Sequence, residues 1–175
     1  MAHIYFTRHG QTVWNVENKI CGMTDIELTK LGHRQAEELG VFIRNNDIHI
    51  DEILYSPLIR AAETARHISE VTGIQRREEV RLIEQNFGKY ESTPRDGKEF
   101  AQAKTHFLEH YDGGETMFHV AQRVYNLLDD YYRFVGRRDS MITVYKHIEE
   151  ELVSDSTVSD ATKGSWVNLV NPDPD

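Results

Sequence analysis

The chain has 175 residues, 39% of them hydrophobic and 28% charged, with a formal net charge of -9. At this length folding hides roughly 70% of the surface of the unfolded chain, so a single domain over residues 1–175 with a real core is expected. No run approaches the roughly 18 consecutive apolar residues of a membrane span, and the net charge argues against a general nucleic-acid binder, which needs a basic face.

Ile4-Tyr5-Phe6 is a short apolar run ending at Arg8-His9-Gly10, which predicts a buried strand meeting a loop. Residues 28–44 follow a helical period, with Leu28, Gly32, Ala36, Leu39 and Ile43 on one face. Asp51 to Tyr55 predicts a second strand. Ser56-Pro57 then reads as a helix start, serine capping and proline in the first turn, and Gly73 suits the C-terminal cap. Glu79 to Leu82 is expected to form a weaker strand, and residues 92–114 an irregular excursion. From Glu115 a long amphipathic helix presents Met117, Val120, Val124, Leu127, Leu128 and Tyr131. Met141 to Tyr145 predicts another strand, and Gly164 to Val170 a final one. Strands alternating with helices imply an α/β fold, with a mostly parallel central sheet between two helical layers.

Charge and cysteine narrow the chemistry. Residues 147–175 alone carry -6, leaving -3 for residues 1–146, so the main body is balanced enough to hold a basic pocket. The single Cys21 rules out a disulfide framework and multi-cysteine metal sites. Met1 to Phe6 has no basic flank ahead of a long apolar stretch, so no secretory signal is expected and the cytoplasm is the expected compartment.

Ligands in such sheets sit beyond the carboxyl ends of the strands. Those ends carry Arg8-His9-Gly10, Ser56-Pro57-x-x-Arg60, Glu84 and Lys146-His147. Singly, Arg60 reads as a solvated helix residue, Glu84 as a surface carboxylate and His147 as a loop histidine. Together they suit phosphoryl transfer, which needs its equatorial oxygens neutralised, an in-line nucleophile and an acid for the leaving oxygen. Arg8 and Arg60 offer planar forks of donors for phosphate oxygens. The amides near the start of the helix carrying Arg60 add to that anion site. Positive charge around His9 favours its neutral, nucleophilic form.

Thr7-Arg8-His9-Gly10-Gln11-Thr12-Val13-Trp14-Asn15 resembles the opening signature of the histidine phosphatase superfamily, the phosphoglycerate-mutase-like proteins. The resemblance continues through Gly22-Met23-Thr24-Asp25 to Gly32, through Tyr55-Ser56-Pro57 to Ala65, and through Leu82-Ile83-Glu84 with Gly88. It ends at Gly113-Gly114-Glu115-Thr116 with Arg123 one helix length on. It implies that His9 is transiently phosphorylated, that Arg8, Arg60 and His147 bind the phosphoryl oxygens, and that Glu84 serves as acid and base. Asn15 resembles an additional phosphate contact, with Cys21 and Gly22 in the neighbouring pocket wall. The resemblance implies no metal and no cofactor.

The pattern breaks after His147, where isoleucine replaces the usual glycine and Glu149, Glu150 and Glu151 follow. Three carboxylates beside an anion site repel phosphate unless they face solvent. A shortened helix in this divergent segment, 147–175, would also leave a sheet face uncovered, a patch that favours a homodimer. The leading expectation is a hydrolase of small phosphate monoesters, with no nucleic-acid or membrane partner. The alternatives are a phospholigand-binding protein without turnover and, third, a phosphoglycerate mutase, for which 175 residues leave little room for closing segments. Trp14, Phe87, Tyr90 and Phe100 are expected to serve ordinary packing rather than a substrate wall.

Overall fold

Two residues in the middle of the second strand show how the layers are built. In the computed structural model, which describes residues 3–106, 108–134, 140–144 and 167–170, Ile53 and Leu54 are both fully buried but on opposite sides of the sheet. Successive strand residues point to opposite faces, so each side needs its own cover. Ile53 packs with Leu39, Ile43, Ala61, Ala65 and Ile68, and Leu54 with Leu82, Val120, Val124 and Leu127.

The elements that supply those residues are β1 (His3–Thr7), α1 (Val13–Val16), α2 (Lys30–Asn45), β2 (Ile53–Tyr55), α3 (Ile59–Thr72), β3 (Arg76–Glu78), α4 (Lys98–Ala103), α5 (Met117–Phe134), β4 (Ser140–Val144) and β5 (Val167–Val170). Helices α2 and α3 therefore cover one face and α5 the other. The strand order is β3-β2-β4-β1-β5, parallel throughout except for β5, which runs antiparallel to β1. This is the expected α/β/α sandwich. The aromatic residues of the excursion form a satellite core: Phe87, Tyr90, Phe100 and Tyr111 meet at centroid separations of 5.4–6.0 Å. Phe87, Tyr90 and Phe100 are packing residues, as the sequence led us to expect.

Two local expectations need correction. The strand expected at Glu79–Leu82 lies instead at Arg76–Glu78, and Val80–Leu82 is a tight 3-10 turn. Glu79 causes the turn, since its carboxylate accepts the Arg81 amide at 3.1 Å. The strand itself is wholly charged and exposed, and its ladder comes from parallel pairing with β2. Such charge on an edge strand discourages pairing with other chains. The second correction concerns α3, which begins at Ile59 rather than beside Ser56. Leu58 is the extended capping residue and offers no side-chain bond. Asp25 supplies the cap from elsewhere, accepting the Ile59 N–H at 2.7 Å. Gly73 ends α3 in the left-handed conformation, φ 77°, as expected.

Candidate active site

Strand β1 delivers Arg8, His9 and Gly10 past its carboxyl end, and neutral contacts fix the backbone there. The Gly10 N–H donates to Thr64 Oγ1 at 3.1 Å, and Thr64 Oγ1 donates in turn to the Arg60 carbonyl at 2.7 Å. Gly10 also lies against Gly32; a Cβ on Gly10 would stand 2.2 Å from the Gly32 carbonyl oxygen. Only glycine permits that approach. Next along, the Gln11 amide donates to Gln35 Oε1 at 2.9 Å, and Thr12 and Asn15 cap the first turn of α1 reciprocally.

His9 Nδ1 lies 2.7 Å from the Gly10 carbonyl oxygen. A carbonyl only accepts, so Nδ1 carries a hydrogen, and whenever the ring is neutral its lone pair is on Nε2. Nε2 is buried. Arg8, His9 and Asn15 line one cavity of about 150 Å³ with Gln11, Gln35 and Thr64. His9 and Arg8 thus share one small cavity of mixed polar and apolar lining, which Thr7, Ala36 and Leu39 complete.

The other half of the expected site is held by charge. Arg60 is 2% exposed, and its two terminal nitrogens donate to the Thr24 and Gly22 carbonyls at 3.0 and 2.7 Å. Each of these two bonds uses one of the five guanidinium hydrogens. Cys21 is buried, with Sγ 3.7 Å from the Thr24 carbonyl oxygen. The loop 22–24 that receives Arg60 is pinned from its amide side by Glu91. That carboxylate accepts from the amides of Gly22, Met23 and Thr24 at 2.9–3.2 Å, from Thr24 Oγ1 at 2.6 Å and from the Phe87 amide at 3.2 Å. Gly22 is a platform for Arg60, and a Cβ there would stand 2.1 Å from the Gln85 carbonyl oxygen. The helix amide expected to add to an anion site is taken by Asp25, as described above.

Glu84 is 3% exposed, and its Oε1 accepts the Gln85 amide at 3.0 Å. The segment around it is braced by α5. Arg123 donates to the Arg81 carbonyl at 2.7 Å, to the Ile83 carbonyl, and to Glu115 Oε1 at 2.9 Å. Glu115 Oε1 also accepts the Asn86 amide at 3.0 Å. Upstream, hydrogen bonds from Arg81 hold the Glu79 carboxyl below its ordinary 4.5, against the opposing effect of burial. The structure therefore groups Arg8, His9 and Asn15 around one cavity, and links that group through Thr64 to Arg60 and the 22–24 loop. His147 and the acids after it lie outside the described residues. Nothing local in the sequence marks Glu91, because four of its five donors are backbone amides and three of those lie 67–69 positions earlier.

The model of the histidine phosphatase superfamily (branch 1) matches residues 4–148. The chain belongs to that superfamily. It is 33% identical over 136 residues to a Yersinia pestis (strain Pestoides F) protein named "Probable phosphoglycerate mutase GpmB", covering 74% of this chain and 62% of that one. The chain thus spans about six-tenths of the length of the curated relatives it matches. Among solved structures it resembles the mycobacterial glucosyl-3-phosphoglycerate phosphatase solved with VO3, at TM-score 0.71 and 26% identity, over 82% of this chain and 74% of that one. TTHB049 from Thermus thermophilus is similar at TM-score 0.63 and 27% identity, over 82% and 77%. Among the described residues, no helix of this histidine phosphatase family member is long and apolar enough to cross a membrane.

Proposed function

We propose that the chain is a phosphatase that hydrolyses small phosphate monoesters through a phosphohistidine on His9. The observation that carries this reading is the 2.7 Å contact between His9 Nδ1 and the Gly10 carbonyl, which puts the lone pair of the neutral ring on Nε2, with Arg8 lining the same cavity as His9. In the first step Nε2 attacks phosphorus, the bond from phosphorus to the ester oxygen breaks, and Glu84 gives its proton to the leaving oxygen. In the second, Glu84 takes a proton from water as the water oxygen attacks phosphorus, the N–P bond breaks, and inorganic phosphate leaves. Arg8, Arg60 and His147 neutralise the phosphoryl oxygens, with Asn15 as a further contact. The family and the resemblance to a mycobacterial phosphatase support this reading.

Phosphate release from a panel of sugar phosphates, phosphoglycerates and nucleotides tests it. Rapid quenching with labelled substrate should trap an acid-labile, base-stable label that is absent from His9→Ala, with turnover down by several orders of magnitude. A His9→Ala protein with near-normal turnover overturns the reading, and no release from any ester favours phospholigand binding without turnover. The 33% identity to a named mutase supports a second reading, transfer between oxygens of phosphoglycerate. Isomerised phosphoglycerate without phosphate release would establish that one. Arginines supply the charge that metal ions supply in other phosphatases. Release should therefore persist in chelator and stop with vanadate; loss on chelation that zinc or magnesium restores would count against it.

A further inference from the structure

Where α2 packs on α3, three side chains converge that the phosphoryl chemistry leaves unused. His33 from α2 and Glu63 and His67 from α3 each offer a ligand atom, all within 4.8 Å of one another. Glu63 and His67 stand four residues apart, hence on one face of α3. His33 Nδ1 faces His67 Nε2 at 2.9 Å, with the rings edge-on and 5.1 Å apart. The far side of the His67 ring is held as well, with Nδ1 3.3 Å from Glu37 Oε1. A carboxylate behind an imidazole is the device that orients metal-bound histidines and leaves Nε2 as the ligand.

We infer that His33 Nδ1, His67 Nε2 and a Glu63 carboxylate oxygen form a binding site for one divalent transition metal ion of the zinc class. Two imidazoles and a carboxylate suit zinc, nickel or copper, whereas magnesium and calcium need all-oxygen sites. Metal–nitrogen bonds of about 2.0–2.1 Å in a tetrahedral site separate two nitrogens by about 3.3 Å, so the facing rings need to part by only a few tenths of an ångström, while the hydrogen that His33 Nδ1 donates to His67 moves through solvent to His33 Nε2. A cation already sits against these atoms. The Arg66 guanidinium is 3.1 Å from His67 Nε2 and 2.7 Å from Glu63, with a second anchor on Glu70 at 2.7 and 2.8 Å. On metal entry Arg66 releases Glu63 and keeps the exposed Glu70.

The position of the site gives it a consequence. His33 follows Gly32 and Glu63 precedes Thr64, and these are the two residues that Gly10 rests against. An ion joining α2 to α3 here stiffens the support of the His9 loop without touching it. The site itself does not depend on what His9 does.

Titration of the chelator-stripped protein with zinc alone, by calorimetry and thermal melting, tests the inference. One ion per chain should bind and raise the melting temperature by about 5 °C at a hundredfold excess over Kd. Because loss of an outer carboxylate costs about 10–100-fold in metal affinity, Glu37→Gln should weaken binding about tenfold and His33→Gln about 100-fold or more. Arg66→Gln should tighten it about tenfold by removing the competing charge. X-ray absorption should show imidazole and carboxylate ligands and no sulfur from Cys21. The inference is overturned by the absence of stoichiometric binding, by His33→Gln retaining wild-type affinity (zinc on other histidines of the nine), or by Arg66→Gln binding no tighter. Phosphate release is measured separately, so failure here leaves the phosphatase reading standing, and the reverse.

Discussion

The two halves of the candidate site are held by opposite means. Around His9 the contacts are neutral and close: Gly10 against Gly32, Gly10 on the Thr64 hydroxyl, Gln11 on the Gln35 amide, Thr12 and Asn15 capping each other. Around Arg60 and Glu84 they are ionic: Arg60 on two carbonyls, Glu91 on the amides of the 22–24 loop, Arg123 with Glu115, and Arg81 with Glu79. Shape holds these backbone contacts of the first half, so an added methyl group breaks them. Charge holds the second half, so a neutral isostere breaks it without any change of volume. The difference makes the site testable one half at a time.

Among variants that leave the His9 nucleophile in place, the largest effect should come from Gly10→Ala. Its Cβ meets backbone on a neighbouring helix, which cannot rotate away, and overpacking of that kind costs about 1–3 kcal/mol or more. The loop must shift, and a displacement of about 1 Å near the chemistry lowers rate about 100-fold. Phosphate release should fall by that factor and the melting temperature with it. Gly73→Ala is the matched control. Nothing lies within 4 Å of its new Cβ, so it carries only the left-handed conformational cost of about 1 kcal/mol, and release should stay at the wild-type level. Gly10→Ala with normal release would break the steric account of the first half.

Glu91→Gln probes the second half at constant volume. Five donors converge on that carboxylate, and an amide meets them with one oxygen and an NH2 group that opposes the rest. Destabilisation of about 2 kcal/mol is expected, the scale of hydrogen bonds to a charged group. As the loop under Arg60 loosens, KM should rise about tenfold while His9 phosphorylation persists at saturating substrate. Unchanged KM would show that the loop keeps its place without the clamp.

What could be read from the sequence divides along the same line. Residues that act through their own local pattern were legible: the β1 run ending at Arg8-His9, the periodic faces of α2, α3 and α5, Gly73 as a cap. Residues that act on distant backbone were not. The first amide of α3 is capped by Asp25, 34 positions earlier, so Ser56-Pro57 misplaced the helix start. Strand β3 has no apolar alternation because an exposed edge needs none, and its pairing with β2 is a tertiary fact. Arg123 is recognisable by its motif, yet nothing local reveals that it holds the Arg81 and Ile83 carbonyls ahead of Glu84.

The smallest effect is the one that separates the halves most directly, because it depends on pH in one and not in the other. Glu79 is 5% exposed, accepts from Arg81 Nε at 2.8 Å, and also caps the turn leading to Glu84. Its folded pKa lies below its ordinary 4.5, with the Arg81 hydrogen bonds the largest cause. Between the folded and unfolded values the unfolded chain binds more protons than the native one. The stabilisation is therefore fully present above pH 4.5 and lost as pH falls through the depressed folded pKa. Glu79→Gln removes the charge at every pH. Its cost should be about 1–2 kcal/mol at neutral pH, modest because Arg81 is nearly a third exposed, and it should shrink toward zero in acid. Thr64→Val makes the comparison. It deletes the hydroxyl joining the Gly10 amide to the Arg60 carbonyl and leaves a buried N–H without its partner, at about 1–3 kcal/mol. No proton is taken up there, so that cost should be the same at about pH 7 and about pH 4. Denaturant melts of the wild type and both variants across this range decide it. A flat difference for Glu79→Gln, or a sloping one for Thr64→Val, would collapse the distinction between a charge-held half and a shape-held half.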